Sequence, residues 1–361
     1  MGGNMKIRLI IIYTILSGFL YHCDSKLPTD SKRSNIETRK IQVKEILRLT
    51  DLAINPNAMS FMHNGFFDVD AEGNYYFLEM MNHRIVKYNR KKEFVCQIGS
   101  IGQGEKDLYE PSAICVDGDS ILVSYRQGKK IRRYSLTGEF ISSFDIVDCF
   151  QINTLRAHAG KIYCDARYSS DDWHKRNAIS VFDAGGKPLT EIGKSLKTPD
   201  SFTYEFFNTS YFQVGDNGII GAFKSSPVIF KYDLDGHSIF YKNLGKMNIP
   251  EVDERLKIVS EEDIYDTPEE RKSADLSTIQ GVYYSNGCIV DDNGHIHYDF
   301  ISFAGTHVLL HFDSGGNLLE KLVLERENRP VSIFGIYTRN SVRYGLGCVE
   351  AFSEDGMLFT F

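Results

Sequence analysis

From about residue 41 onward, short apolar or aromatic runs alternate with tight polar turns rich in Gly, Asp and Asn. Typical stretches are Phe67-Asp-Val-Asp-Ala-Glu-Gly-Asn-Tyr-Tyr-Phe-Leu78, Ala113-Ile-Cys-Val-Asp-Gly-Asp-Ser-Ile-Leu-Val123 and Gly287-Cys-Ile-Val-Asp-Asp-Asn-Gly-His-Ile-His297. Runs of this length, bounded by turn residues, predict antiparallel hairpins rather than helices. A helical pattern is confined to residues 246–278, where Pro250 to Asp263 and Thr267 to Leu276 read as two short charged helices. Thr267-Pro-Glu-Glu270 is a good start signal for the second, with an N-cap hydroxyl, proline at the first helical position and acids in the first turn.

The hairpins repeat. Arg84 to Phe94, Lys130 to Phe140, Ala178 to Pro188, Val228 to Ser238 and Val308 to Leu318 share one pattern: a short strand ending in an aromatic residue, a polar turn that usually carries Gly, and a second strand. The shared aromatics Tyr88, Tyr134, Phe182, Tyr232 and Phe312 are separated by 46, 48, 50 and 80 residues. The first three spacings suit a four-stranded propeller blade, and the fourth is a blade plus the helical insertion. Each shared hairpin is preceded by another, and two hairpins in series make one blade. A sixth unit, starting at Gly347, supplies two strands before the chain ends at Phe361, and Ile41 to Leu52 is available as the missing outer strand. Closure of this kind removes an exposed sheet edge. The expected fold is all-β: a six-bladed β-propeller of four-stranded antiparallel blades over residues 41–361, closed by an N-terminal strand, with a short helical insertion at 246–278.

Ile98-Gly-Ser-Ile-Gly-Gln-Gly-Glu105, Pro111-Ser-Ala-Ile-Cys-Val-Asp117 and Ile131 to Phe140 resemble NHL-type six-bladed propellers. The chain is most similar to uncharacterised six-bladed propeller lipoproteins of bacterial envelopes. The resemblance implies an exported propeller and no particular activity, because the repeated residues are turn and packing residues.

The first 23 residues have a different character. Lys6 and Arg8 precede an apolar run from Leu9 to Leu20, too short for a comfortable membrane span and suited to an export signal. Cys23 follows directly, with Leu20 three positions before it, which resembles a bacterial lipoprotein signal with Cys23 as the lipidated residue. His22 departs from the usual small residue at its position, and a plain signal peptide with an incidental cysteine is the alternative. Residues 24–40 read as a flexible polar tether. The expected location is the bacterial cell envelope, lipid-anchored, facing the periplasm or the surface. The other six cysteines show no metal-type spacing and lie mostly in apolar strand-like runs, so buried thiols are expected. A net charge of −7 without a clustered basic face excludes nucleic acid as a partner.

Candidate chemistry comes from the loops that meet at one end of a propeller axis: those joining an outer strand to the next inner strand, and those joining second to third strands. They are expected to bring together Arg126, Asp165, Arg167, Tyr168, Trp173, His174, Tyr283, Asp299 and Arg343 as ligand-binding residues. Aromatic and Arg side chains there supply stacking area and bidentate anion contacts. A sugar-like, peptide-like or carboxylate-bearing ligand, or an envelope protein, would suit such a face. The insertion reads as either a lid or a solvated decoration. His63, Glu79, Asp165 and Asp299 are the candidate ligands for a divalent cation, Ca or Zn, in the axial channel, which would support a metal-dependent lyase or hydrolase. A ligand- or protein-binding module is the leading expectation and the enzyme its alternative. His295, His297 and Asp299 alternate on one strand face and offer metal-type spacing, with cross-strand packing as the competing explanation. Gly99 to Gly104 lacks the following helix that a phosphate loop needs, and no Gly-x-Ser-x-Gly elbow occurs.

Overall fold

The computed structural model describes residues 36–361 except 53–65, 103, 126–129, 147–148, 169–176, 196–207, 227, 245–246, 248–284, 286, 292, 302–306, 340 and 350–355. The helical insertion at 246–278 therefore lies almost wholly outside the described residues.

The chain is a six-bladed β-propeller. Blade 1 is Phe67–Val69, Tyr75–Glu79, Arg84–Tyr88 and Phe94–Ile98, in order from the inside outward. Blade 2 is Pro111–Asp117, Ser120–Tyr125, Lys130–Ser135 and Phe140–Asp145. Blade 3 is Leu155–His158, Lys161–Cys164, Ile179–Asp183 and Pro188–Ile192. Blade 4 is Ser210–Gly215, Gly218–Phe223, Val228–Tyr232 and Ser238–Asn243. Blade 5 is Cys288–Val290, Ile296–Ile301, His307–Phe312 and Leu318–Arg326. Each inner strand lies against the inner strands of both neighbouring blades, and the last returns to the first.

One turn explains the repeat. The residue after each shared aromatic, Asn89, Ser135, Asp183, Asp233 or Asp313, accepts with its side chain from backbone N–H groups two and four positions on. This fixes the turn locally before any tertiary contact forms. The next-but-two position has a positive φ in every copy: Gly138 (93°), Gly186 (88°), Gly236 (91°) and Gly316 (73°), with Lys92 (70°) standing in for glycine in blade 1. The five aromatics are buried, as are Tyr76, Tyr163, Tyr211, Tyr298, Phe212, Phe223 and Phe230. Contacts between blades include the Tyr232 hydroxyl, which accepts from the Lys194 N–H across the blade 3–blade 4 boundary at 3.1 Å.

Blade 6 corrects the sequence reading. It begins at Ser332, not Gly347, and contributes three strands, Ser332–Arg339, Val342–Cys348 and Met357–Thr360. Its inner strand was hidden because the preceding turn uses Glu327 (φ 53°) and Asn328 (φ 62°), and the following one Ser341 (φ 64°), without the glycine that marks the other blades. The fourth strand is Lys44–Arg48 from the N-terminal segment, antiparallel to Met357–Thr360 with Leu47 opposite Leu358, as the closure argument expects. Leu47 and the following Leu49 are buried. A further strand, Thr38–Gln42, adds in parallel to Leu318–Arg326 as a fifth strand of blade 5. The ordered sheet thus starts at Thr38, inside the segment read as tether. All six described cysteines are thiols, five buried and Cys96 half-buried.

Candidate functional site at the axial end

The second strand of a blade ends beside the start of its inner strand, and the same backbone bond marks that place in four blades. The N–H groups of Leu78, Asp165, Lys224 and Asp299 donate to the carbonyls of Phe66, Thr154, Thr209 and Gly287, at 2.7, 3.2, 2.7 and 3.0 Å. In three consecutive blades the equivalent position therefore carries an acid, a base and an acid, all buried.

Asp165 is held firmly. Its Oδ1 accepts from the N–H groups of Asn153 and Thr154 at 2.7 and 2.6 Å, and its Oδ2 from Asn153 Nδ2 at 3.3 Å. The Thr154 hydroxyl donates in turn to the Ser210 carbonyl of blade 4 at 2.7 Å. Lys224 sits in the same field: burial pushes its ammonium down to about 8, against a smaller opposing pull from Asp165. Asp299 faces His307 Nδ1 at 3.2 Å. Tyr211, on the inner strand of blade 4, lies in the field of both acids: burial and then the charges of Asp165 and Asp299 push its phenol well above the ordinary range. The hydroxyls of Ser210 and Ser225, in the same blade, are buried with no hydrogen-bond partner among the described residues. The result is a desolvated ionisable cluster from blades 3, 4 and 5 at one end of the ring.

Of the predicted ligand-binding residues, the structure brings Asp165 and Asp299 into this cluster. Arg167 and Tyr168 form a short strand paired with Cys149–Gln151. Arg126, Trp173, His174 and Tyr283 lie outside the described residues, as do His63 and Cys23. Arg343 is displaced from its expected position. It sits at the start of the second strand of blade 6, next to the hairpin turn at the opposite end of that strand, 3.2 Å from His297 and 5.1 Å from the Phe361 ring centroid. Starting blade 6 one strand late moved it to the wrong end. His297 beside it is pushed down to about 4 by burial and by His311 and Arg343. Glu79 is buried one residue beyond the equivalent position in blade 1, with its carboxylate against Arg84 and Asn82.

Lys224 and Ser210 escaped the sequence reading. A lysine after the apolar Gly-Ile-Ile-Gly-Ala-Phe223 reads as the solvated end of a strand. Only alignment of second-strand ends across blades places it level with Asp165 and Asp299.

No protein-family model matches the chain, and no curated protein matches it. Solved structures do. A putative exported protein from Bacteroides fragilis is 11% identical, with 90% of this chain and 98% of that one covered and a TM-score of 0.56. A member of the DUF4221 family from Bacteroides vulgatus is 11% identical over 85% of this chain and 94% of that one, with a TM-score of 0.52. Regucalcin from Agrobacterium tumefaciens, described as a calcium-binding protein, is 11% identical over 90% and 95%, with a TM-score of 0.50. At this identity the likeness is one of fold. The described axial residues do not fit a calcium cage, which takes six to eight oxygen ligands: Asp165 is filled by N–H donors, and the Lys224 ammonium occupies its surroundings.

Proposed function

We propose that the chain is an exported propeller, anchored through a lipid on Cys23, that binds a polar ligand of the sugar or peptide kind at the axial end of blades 3 to 5. The observation that carries this reading is the buried Asp165–Lys224–Asp299 series at one repeated backbone position. Burying ionisable groups opposes folding, so a fold built only for stability would fill these places with apolar side chains. The hydroxyls of Ser210 and Ser225, without a partner among the described residues, add hydrogen-bonding capacity that a polar ligand would satisfy. In this reading Lys224 receives an acceptor or acidic group of the ligand, and Asp299 with His307 receives a hydroxyl or amide donor.

The test is a thermal-shift panel of oligosaccharides and short peptides on the full-length protein, beside Lys224→Met and Asp299→Asn. A ligand that raises the melting temperature of the parent by several degrees should lose most of that effect in both variants. Equal shifts in all three proteins would contradict axial binding. For the anchor, cells grown with an alkyne fatty acid should label the parent chain and leave Cys23→Ser unlabelled; equal labelling of the two would contradict it.

A further inference from the structure

A second cluster lies on blade 5 and uses none of the axial residues. Three strands run side by side there, with His297 directly opposite His311 and His311 directly opposite Glu320. Asp291, in the turn leading to the second strand, brings Oδ2 to 3.4 Å from His297 Nε2. His295 brings Nδ1 to 3.1 Å from His311 Nε2. The donor atoms of Asp291, His297 and His311 all lie within 4.8 Å of one another.

We propose that Asp291, His297 and His311 form a binding site for a zinc-class divalent ion. Metal–ligand bonds of about 2.0 Å at tetrahedral angles put neighbouring ligand atoms about 3.3 Å apart, and the Asp291–His297 contact of 3.4 Å matches that edge length. The His297 and His311 rings stack with centroids 4.5 Å apart, so ion binding turns the His311 ring to bring its Nε2 to the metal. Two imidazoles and one carboxylate are a donor set suited to zinc rather than to calcium or magnesium.

The surroundings support the same assignment. His311 Nδ1 lies 2.9 Å from Glu320 Oε1. Both Glu320 oxygens are in turn held by Arg39, at 2.8 Å each. The Arg39 guanidinium thus fixes the Glu320 carboxylate as an acceptor facing His311. The carboxylate therefore takes the Nδ1 proton and leaves the Nε2 lone pair of His311 facing the cluster, the outer-shell arrangement that metal-binding histidines use. His297 is 1% exposed, and its Nδ1 is buried without a partner among the described residues. Its Nε2 faces both an acceptor, Asp291, and a donor, Arg343, and no single tautomer satisfies both. An ion between Asp291 and His297 resolves that conflict, with Arg343 resting on Phe361. Because Arg39 lies on Thr38–Gln42, ion binding would also secure the strand that the N-terminal segment adds to blade 5.

The experiment is a calorimetric titration of the untagged, metal-stripped full-length protein with Zn²⁺. The expected result is one equivalent bound by the parent and by Asp165→Asn, and none at this site in His297→Asn or His311→Asn. Asp291→Asn, which keeps the turn acceptor and loses the charge, provides a variant that should fold unchanged and still lose binding. Glu320→Gln should bind about 10–100-fold more weakly, the usual effect of removing an outer-shell carboxylate. No zinc bound by the parent, or parent-like binding in the folded His311→Asn and Asp291→Asn variants, would overturn the proposal.

Discussion

A chain lacking residues 44–49, the strand Lys44–Arg48 with the leucine that follows it, is expected to lose its cooperative unfolding transition and to aggregate. The strand is the outer edge of blade 6, and without it Met357–Thr360 presents an unpaired edge, the usual template for association. The apolar loss is also large. Leu47 and Leu49 are buried, and Leu49 donates its N–H to the Gly356 carbonyl at 2.7 Å. Truncating a buried leucine costs about 2–5 kcal/mol, so losing both approaches the net stability of an ordinary domain. A graded version is Leu49→Ala, expected to cost about 2–5 kcal/mol in a urea melt. Deleting Thr38–Gln42 instead should be milder, since that strand lies outside a blade already complete with four. Equal melts for the two deletions would mean that the N-terminal segment does not close the ring.

The second large effect is a pH dependence set by Lys224. The folded value of about 8 lies below the ordinary 10.5. Between those values the unfolded chain binds a proton that the folded chain does not, so stability rises with pH across that window. Below about pH 8 the folded state carries the whole cost of the buried ammonium. Relative to Lys224→Met, the parent should therefore gain up to about 3 kcal/mol between pH 8 and 10.5. Other lysines and tyrosines titrate in both proteins and cancel in the difference. Parallel stability curves for the two proteins would place the ammonium in solvent.

Much of the fold was legible because it is written locally. The side-chain acceptor after each shared aromatic, followed by a residue at positive φ, makes the outer hairpin nearly independent of context, and five copies of it reveal the period. The first strand of blade 6 was not legible because its turns lack that signature. The error carried a functional consequence: displacing the blade by one strand exchanged the two ends of the propeller for Arg343. The strand Thr38–Gln42 was missed for a different reason. Thr-Arg-Lys-Ile-Gln is mostly polar, and what recommends it is pairing with Leu318–Arg326, including the Arg39–Glu320 bridge across 281 positions.

The candidate site divides in the same way. Asp165 and Asp299 could be named because the repeat places both where second strands run into the loops that meet at the axis. Lys224 could not, because a long side chain at a strand end is ordinarily solvated and only the packing of blades 3 to 5 desolvates it. The histidines of blade 5 were visible as an alternating pair, whereas their partners Asp291, His311 and Glu320 come from three other places along the chain that only the sheet register brings together.

The axial cluster is tested most directly by NMR titration of the lysine side chains in protein labelled at lysine. One resonance, absent from Lys224→Met, should titrate near 8, and Asp165→Asn should lower it further by removing the charge that opposes burial. If every lysine titrates in the ordinary range, or the Lys224 resonance ignores Asp165→Asn, the two groups do not share a buried axial site.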